Sequence, residues 1–221
     1  IGGGLSVAGG VFQAILMNPL AEPYILGISS GGAFGAVFAI LIGLSFIGIQ
    51  FFSFGGALLV TFLVFILGRR FGELEPNVLL LSGVMVGAFF GAAILLVITL
   101  MNESLRTAIY WLIGDLSLAK SGDVYIILPI TIIVSLIISL NSNKFNILAL
   151  GDQNAKHLGI NTEFTKNFIY IISSIMIGSV VSVSGIIGFV GLLVPHVCRL
   201  LFGLDNRIVI PASFFVGGAY L

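Results

Sequence analysis

Two of the stretches without a single charged side chain are too long for one membrane crossing. The first covers residues 24–68, and the second covers the 32 residues between Lys166 and Arg199. Each is longer than the roughly 20 residues that cross a bilayer once as a helix. Because 58% of all residues are apolar and only 8% are charged, a soluble domain of this length could not hide so much hydrocarbon from water. The sequence therefore predicts an all-α, polytopic transmembrane helical bundle.

Eight apolar segments are expected. The first uncharged stretch is expected to break near residues 48–50. The second is expected to bend near residues 184–188, which gives one full helix and a shorter returning helix. Both ends of the chain interrupt apolar runs, so we expect a fragment of a longer protein. The segments cover about residues 1–17, 24–46, 51–68, 77–101, 124–140, 167–184, 188–202 and 208–221.

The basic residues predict the orientation in a cell (inner or plasma) membrane. If the eight segments alternate in direction, one side receives only Arg106 and Lys120, which makes these two the candidates for an outer face. Cytoplasmic loops carry the excess of basic residues. This predicts cytoplasmic locations for the turn around Asn18, for residues 141–166 and for residues 199–207. The other side receives Arg69, Arg70, Lys144, Lys156, Lys166, Arg199 and Arg207.

The strongest local break lies within residues 13–35. Pro19 and Pro23 cannot both lie inside one hydrogen-bonded helix, since each lacks an N–H and clashes with the preceding turn. Glu22, between them, is the only charge before Arg69. The sequence predicts a tight polar elbow between two Gly-rich helices. It is either a plain interhelical turn or a place where backbone faces a partner or a cavity.

Two series of glycines repeat every four residues. Each series strips side chains from one helix face, which permits close helix packing or leaves room for a passage. Ordinary packing is the simpler alternative. Ser82 and Met85 lie beside the second series and give that face a soft, weakly polar surface. The two series are Gly27, Gly31 and Gly35, and Gly83, Gly87 and Gly91.

Several classes of function are disfavoured by what the sequence lacks. Ion-coupled transporters and proton pumps need ionisable residues within the membrane, but every Asp, Glu, Lys and Arg falls in a predicted loop or at a segment end. The chain has no G-x-x-x-x-G-K-[ST] phosphate loop, so it is not expected to hydrolyse a nucleotide. His157, His196 and Cys198 are scattered, so no metal, cofactor or catalytic group is expected. A net charge of zero gives no patch for nucleic acid.

The longest polar stretch, residues 141–166, is expected to be a cytoplasmic loop with one short helix. Asp152 suits its N-cap, and Gly159 suits a left-handed stop. Ala155 and Leu158 are expected on one face. A helix of about two turns is marginal alone, so it would serve as a plug for a partner's groove; a surface turn is the alternative. The candidate residues are Gly151, Asp152, Ala155, Lys156, His157, Leu158 and Gly159.

Five collinear blocks resemble the FecCD/BtuC-type permeases of binding-protein-dependent ABC importers for iron–siderophores, haem and cobalamin. Three of them are residues 81–84 (LSGV), residues 110–114 (YWLIG) and residues 148–159. The first and last blocks contain the motif residues Gln13, Asn18, Pro19, Glu22, Pro23, Gly27 and Ser29, and Gly188, Pro195, His196 and Arg199.

This resemblance implies one transmembrane permease domain over residues 1–221, with the fold of the type II importer permeases and about spans two to nine of ten. Two permease subunits, identical or different, would enclose a translocation path and sit on cytoplasmic ATP-binding subunits. An extracytoplasmic binding protein would deliver an iron–siderophore or a related metal chelate. The loop 141–166 would couple to the ATPase, and Ser82, Gly83, Met85, Gly87 and Gly91 would line the path. An ion-coupled secondary transporter is the alternative.

Overall fold

The computed structural model describes residues 1–70, 73–101, 104–116 and 119–221. Helices dominate these residues, and the expected all-α class is confirmed. A 3-10 helix covers Pro23–Leu26, and the strands β1 (Arg69–Arg70) and β2 (Glu73–Leu74) form a small antiparallel hairpin. The α-helices are α1 (Gly2–Ile15), α2 (Ile28–Leu41), α3 (Phe46–Leu67), α4 (Pro76–Thr99), α5 (Leu105–Ile113), α6 (Ser121–Leu140), α7 (Ser142–Leu148), α8 (Asp152–His157), α9 (Thr162–Ser184), α10 (Val190–Phe202) and α11 (Asn206–Tyr220).

The eight expected apolar segments correspond to α1, α2, α3, α4, α6, α9, α10 and α11. Within the described ranges, α3, α4, α6 and α9 are long and apolar enough to cross a membrane, while α1, α2 and α10 are shorter apolar helices. The break between α2 and α3 lies at residues 42–45, not near 48–50. Its physical cause is Gly43, whose φ of 73° places the backbone in the left-handed region that ends a helix.

The centre of the bundle is α1, which is buried along almost its whole length. It packs against α6, α9, α10 and α11, while α2 and α3 form a hairpin that packs against α4 and α9. Gly9 of α1 touches the backbone of Gly191 in α10 so closely that a Cβ would overlap it. Close approach of helix backbones at small residues is the usual way in which membrane helices pack.

The first glycine series packs helices together. Gly31 and Gly35 face α3, where a Cβ on Gly31 would lie 2.8 Å from the Cβ of Val60 and a Cβ on Gly35 would lie 3.2 Å from the Cα of Ser53. Gly27 has a φ of 73° and ends the 3-10 helix. Of the two interpretations of this series, close packing is the one that applies.

The elbow after α1 does not stay at one end of the bundle. A Cβ on Gly83 would lie 2.6 Å from the Cα of Leu26, and a Cβ on Gly87 would lie 3.4 Å from the Cα of Gly27. These two glycines follow the start of α4 by about 10 to 16 Å along the helix axis. The end of the elbow is therefore well inside the bundle. This agrees with the expected apolar segment from residue 24 onwards, and the cytoplasmic location of the turn around Asn18 stays a prediction.

We predict that Gly83→Ala destabilises the protein, because its Cβ has no room beside Leu26. The expected cost is about 1–3 kcal/mol of unfolding free energy, measured as a lower thermal unfolding midpoint of the purified parent protein in detergent. Gly91→Ala on the same helix is the matched control, since nothing lies within 4 Å of its Cβ position; its higher helix propensity should leave stability unchanged or slightly raised. Equal midpoints for the two variants would contradict this packing.

Candidate functional site

The short helix expected in the loop 141–166 exists as α8. Its two flanking glycines have positive φ, 94° for Gly151 and 83° for Gly159, so both take a conformation that L side chains rarely adopt. Gly159 is thus the left-handed stop that the sequence predicted. No atom lies within 4 Å of a Cβ built on either glycine. The helix is therefore held between two sharp turns on open surface.

Two details of α8 differ from the expectation. The N-cap is Gly151, not Asp152, which instead occupies the first turn. Ala155 and Leu158 do not share a face: Ala155 is fully buried, whereas Leu158 is 60% exposed. The reason is that Asp152 is drawn to a cation on α9, which turns Ala155 towards the bundle. The outward surface of α8 carries Gln153, His157 and Leu158, with the exposed Leu150 beside it, while Lys156 reaches Glu73 on β2.

Six charges, which we call the six-charge network, join α8 to its neighbours. Lys166 Nζ on α9 lies 2.6 Å from Asp152 Oδ2, and Lys156 Nζ lies 2.8 Å from Glu73 Oε1 on β2. Arg69 on β1 lies 3.9 Å from Glu163 on α9. The network alternates in sign and joins α8 and α9 to the β1–β2 hairpin, which is distant from them in sequence. Hydrogen bonding and charge attraction from Glu73 raise the pKa of Lys156, with smaller contributions from Asp152 and Glu163.

A second polar contact holds the helix that precedes α8. Asn146 of α7 donates to Asp205 Oδ1 at 2.7 Å and accepts from the backbone N–H of Asn206 at 2.9 Å. Asp205 also accepts from the backbone and guanidinium of Arg207, and these bonds hold the pKa of its carboxyl well below the usual range. The α7–α8 unit is therefore attached to the start of α11 as well as to α9.

Two hydrogen bonds join the elbow to the segment that precedes α10. Glu22 Oε1 accepts from the backbone N–H of Phe189 at 2.7 Å, and the Tyr24 hydroxyl accepts from that of Ile187 at 3.1 Å. Gly188 lies beside the Glu22 carboxylate. Two N–H groups just before α10 are thus satisfied by side chains of the elbow, and a negative charge lies at the positive end of that helix. Irregular backbone at membrane depth needs such partners.

A further polar contact joins α1 to α10. The Arg199 guanidinium donates to Gln13 Oε1 and, at 3.4 Å, to the Gly10 carbonyl. Gln13 Nε2 donates to the Leu192 carbonyl at 3.3 Å. Gln13 thus bridges a cation and a helix carbonyl. Pro195 lies one turn away beside Gly10, and His196 is half-buried on the same helix.

The remaining elbow residues shape the turn itself. Asn18 Oδ1 accepts from the backbone N–H of Leu20 at 3.0 Å, which is the local bond by which Asn stabilises turns. Pro23 begins the 3-10 helix and packs against the bare backbone of Gly191. Pro19 is exposed, and Ser29 is buried in the first turn of α2. The motif residues therefore build one packed crossing of chain segments.

The residues expected along a path fall on different sides of α4. Gly83 and Gly87 face the elbow, Ser82 is buried, and Gly91 borders open space. Met85 is 64% exposed. The side of α4 opposite Gly83 presents a continuous apolar surface that nothing in the described chain covers, formed by Leu81, Val84, Met85, Phe89, Leu95 and Leu96.

Comparison with known proteins identifies the family. The profile of the FecCD transport family matches residues 1–221. The chain belongs to the FecCD transport family. Among curated members, it is 37% identical over 222 residues to the cobalamin import system permease BtuC of Halobacterium salinarum, with 100% of this chain and 60% of that protein covered. It is 34% identical to the hemin transport permease HmuU of Yersinia pestis, with 68% of that protein covered.

The FecCD family also includes permeases for other cargo and has a solved fold. The molybdate import permease MolB of Haemophilus influenzae is 32% identical, and the chain covers 66% of it. An ABC transporter assigned to the metal-chelate type, solved in an inward-facing conformation, superposes with a TM-score of 0.93 at 29% identity, covering 99% of this chain and 70% of that one. PsaBC from Streptococcus pneumoniae, at a TM-score of 0.64 and 18% identity, shares the fold.

Several residues of this FecCD chain were not singled out by the sequence reasoning. Glu73, Glu163 and Lys166 complete the six-charge network, and Asn146 with Asp205 attaches α7. The i,i+3 spacing of Glu163 and Lys166 is a known signal for charges on one helix face, but it does not tell which distant element faces them. Among the described residues, no group of three His, Cys, Asp or Glu side chains is placed to hold a metal ion.

We predict that Tyr24→Phe weakens the crossing of the elbow with residues 187–189. It removes the acceptor of the part-buried Ile187 N–H, and the loss of such a hydrogen bond costs about 0.5–1.5 kcal/mol. The measurement is the thermal unfolding midpoint of the purified parent protein. Tyr125→Phe, at a tyrosine that is 82% exposed, is the matched control and should not shift the midpoint. A Tyr24→Phe midpoint equal to that of the control would show that this bond does not support the fold.

Proposed function

We propose that this chain is part of the permease subunit of an ABC importer in the cell membrane, through which a metal chelate such as an iron–siderophore, haem or cobalamin passes. The observation that supports this most directly is α8, a short helix fixed outside the long helices, with exposed Leu150 and Leu158 available to a partner. The relatives named for cobalamin, hemin and molybdate permeases agree with a metal-containing cargo.

The energy would come from partner subunits. We propose that a cytoplasmic ATP-binding subunit receives the outward surface of α8 in a groove, as amphipathic helices commonly dock. Gly151 and Gly159 would set the angle of that helix, and His157 would lie at its edge, while Lys156, which is paired with Glu73, would lie outside the contact. An extracytoplasmic binding protein would deliver the cargo. Selectivity would rest largely with that protein, since the described surface of α4 is apolar and adaptable.

The path would follow the uncovered side of α4. We propose that a second permease subunit, identical or different, faces the surface around Met85, so that cargo moves between the two subunits. Gly91, with open space around it, and Ser82 would flank this surface. Gly83 and Gly87 would support the path indirectly, because they let α4 pack on the elbow.

Reconstitution of the full-length parent protein tests this function. Together with its companion ATPase and binding protein in lipid vesicles, it should accumulate ferric siderophore, hemin or cobalamin only when ATP is supplied. Ionophores that abolish ion gradients should have no effect, because no coupling ion is involved. Accumulation against a gradient without the ATPase would overturn the proposal in favour of ion-coupled transport.

We predict that Leu158→Asp prevents docking of the ATPase while the permease remains folded. A charge in an apolar contact must be desolvated without a partner, so co-purification with the ATPase and ATP-dependent uptake should fall at least tenfold. Leu204→Asp is the matched control, since Leu204 is 79% exposed and lies in the turn between α10 and α11. Equal loss in both variants, or none in Leu158→Asp, would count against docking through α8.

A further inference from the structure

The six-charge network connects α8 to two different parts of the bundle with unequal strength. The Lys166 side chain is only 4% exposed, and its partner Asp152 is 32% exposed. A buried cation that loses its partner is strongly destabilising, so α8 stays with α9. The Lys156 and Glu73 side chains are 50% and 44% exposed. Exposed pairs contribute little to stability, so the Lys156–Glu73 pair can have a role other than stabilising the fold.

Glu73 lies next to the start of α4. It belongs to β2, and the following residue, Leu74, is 3% exposed and anchors the hairpin in the core. Glu75 then caps α4 by accepting from the Val78 N–H at 2.9 Å. Because Leu74 is buried and Glu75 caps α4, Glu73 cannot move far without moving the first turn of α4. A displacement of the Glu73 carboxylate is therefore passed to that turn.

No other hydrogen bond or ion pair described for α8 reaches the hairpin. Lys156 and Glu73 are 83 residues apart in sequence, and the fold brings them within direct hydrogen-bond distance. The Lys156 ammonium lies on the side of α8 that faces the hairpin, where it contacts Glu73. Arg69, on the other strand, is tied to Glu163, so the hairpin is held at both strands.

We propose that the Lys156–Glu73 pair is a positioning contact that passes movement of α8 to the start of α4, while Asp152–Lys166 keeps α8 moving with α9. The inference rests on the proposed function, in which an ATPase moves α8. Neither residue touches cargo. Loss of the pair leaves docking and cargo binding intact, but part of each α8 movement no longer reaches α4. The result is ATP hydrolysis with fewer cargo molecules transported.

A double-mutant cycle tests the pair. Lys156→Gln, Glu73→Gln and the double variant are made in the full-length protein and reconstituted with its ATPase and binding protein. The readout is the number of cargo molecules transported per ATP hydrolysed. Each single variant should lower this ratio about two- to fivefold, the range that an exposed ion pair supports. The double variant should be no lower than either single one, because both remove the same contact.

Two controls separate coupling from structure. Lys144→Gln removes a cation on α7 outside the network and should leave the ratio unchanged. Co-purification with the ATPase and the thermal unfolding midpoint should be unchanged in the cycle variants; weaker co-purification or a lower midpoint would show that the pair supports docking or folding instead. Unchanged ratios in the single variants, or effects that multiply in the double variant, overturn the positioning role alone. Failure of the unaltered protein to transport with ATP overturns the proposed function together with it.

Discussion

The fold depends on the contact between two irregular chain segments. The elbow after α1 and residues 185–189 before α10 both leave backbone groups outside helices. In hydrocarbon such groups cost several kcal/mol each unless the protein supplies partners. Glu22 and Tyr24 supply two of them by accepting from Phe189 and Ile187. Each segment is therefore tolerable only because the other is present.

This crossing explains why two helices of the bundle are short. Of the helices next to the crossing, α2 has 14 residues and α10 has 13, because each begins where an irregular segment ends. Glycines allow close packing around the crossing: Pro23 packs against the backbone of Gly191, and Leu26 packs against the backbone of Gly83. The glycines of the motifs thus meet one requirement of an apolar membrane protein. They let non-helical segments pack closely enough for neighbouring residues to hydrogen-bond their backbone groups.

The sequence predicted what depends on local pattern. Eight apolar segments, the bend before α10 and the stop at Gly159 follow from hydropathy, proline and glycine, which act within a few residues. The burial of Ala155 and the pairing of Lys156 with Glu73 did not follow. These features depend on contacts between elements that are distant in sequence. Lys156 and Glu73, for example, are separated by 83 positions. The expected N-cap at Asp152 was wrong for the same reason, since Lys166 on another helix draws that carboxylate away.

The same contrast applies to how the molecule can move. The crossing holds α1, α10 and the elbow together through hydrogen bonds and touching backbones, and the close backbone contacts leave no room for a second arrangement. The α8 end is held by charges of graded exposure, from Lys166 at 4% to Lys156 at 50%, and such contacts can shift without opening the core. Helix α4 touches both systems, through Gly83 at the elbow and through the hairpin at Glu73. Of the long helices, α4 is therefore the one in which the first turn could shift with the hairpin while the contact between Gly83 and the elbow stays in place.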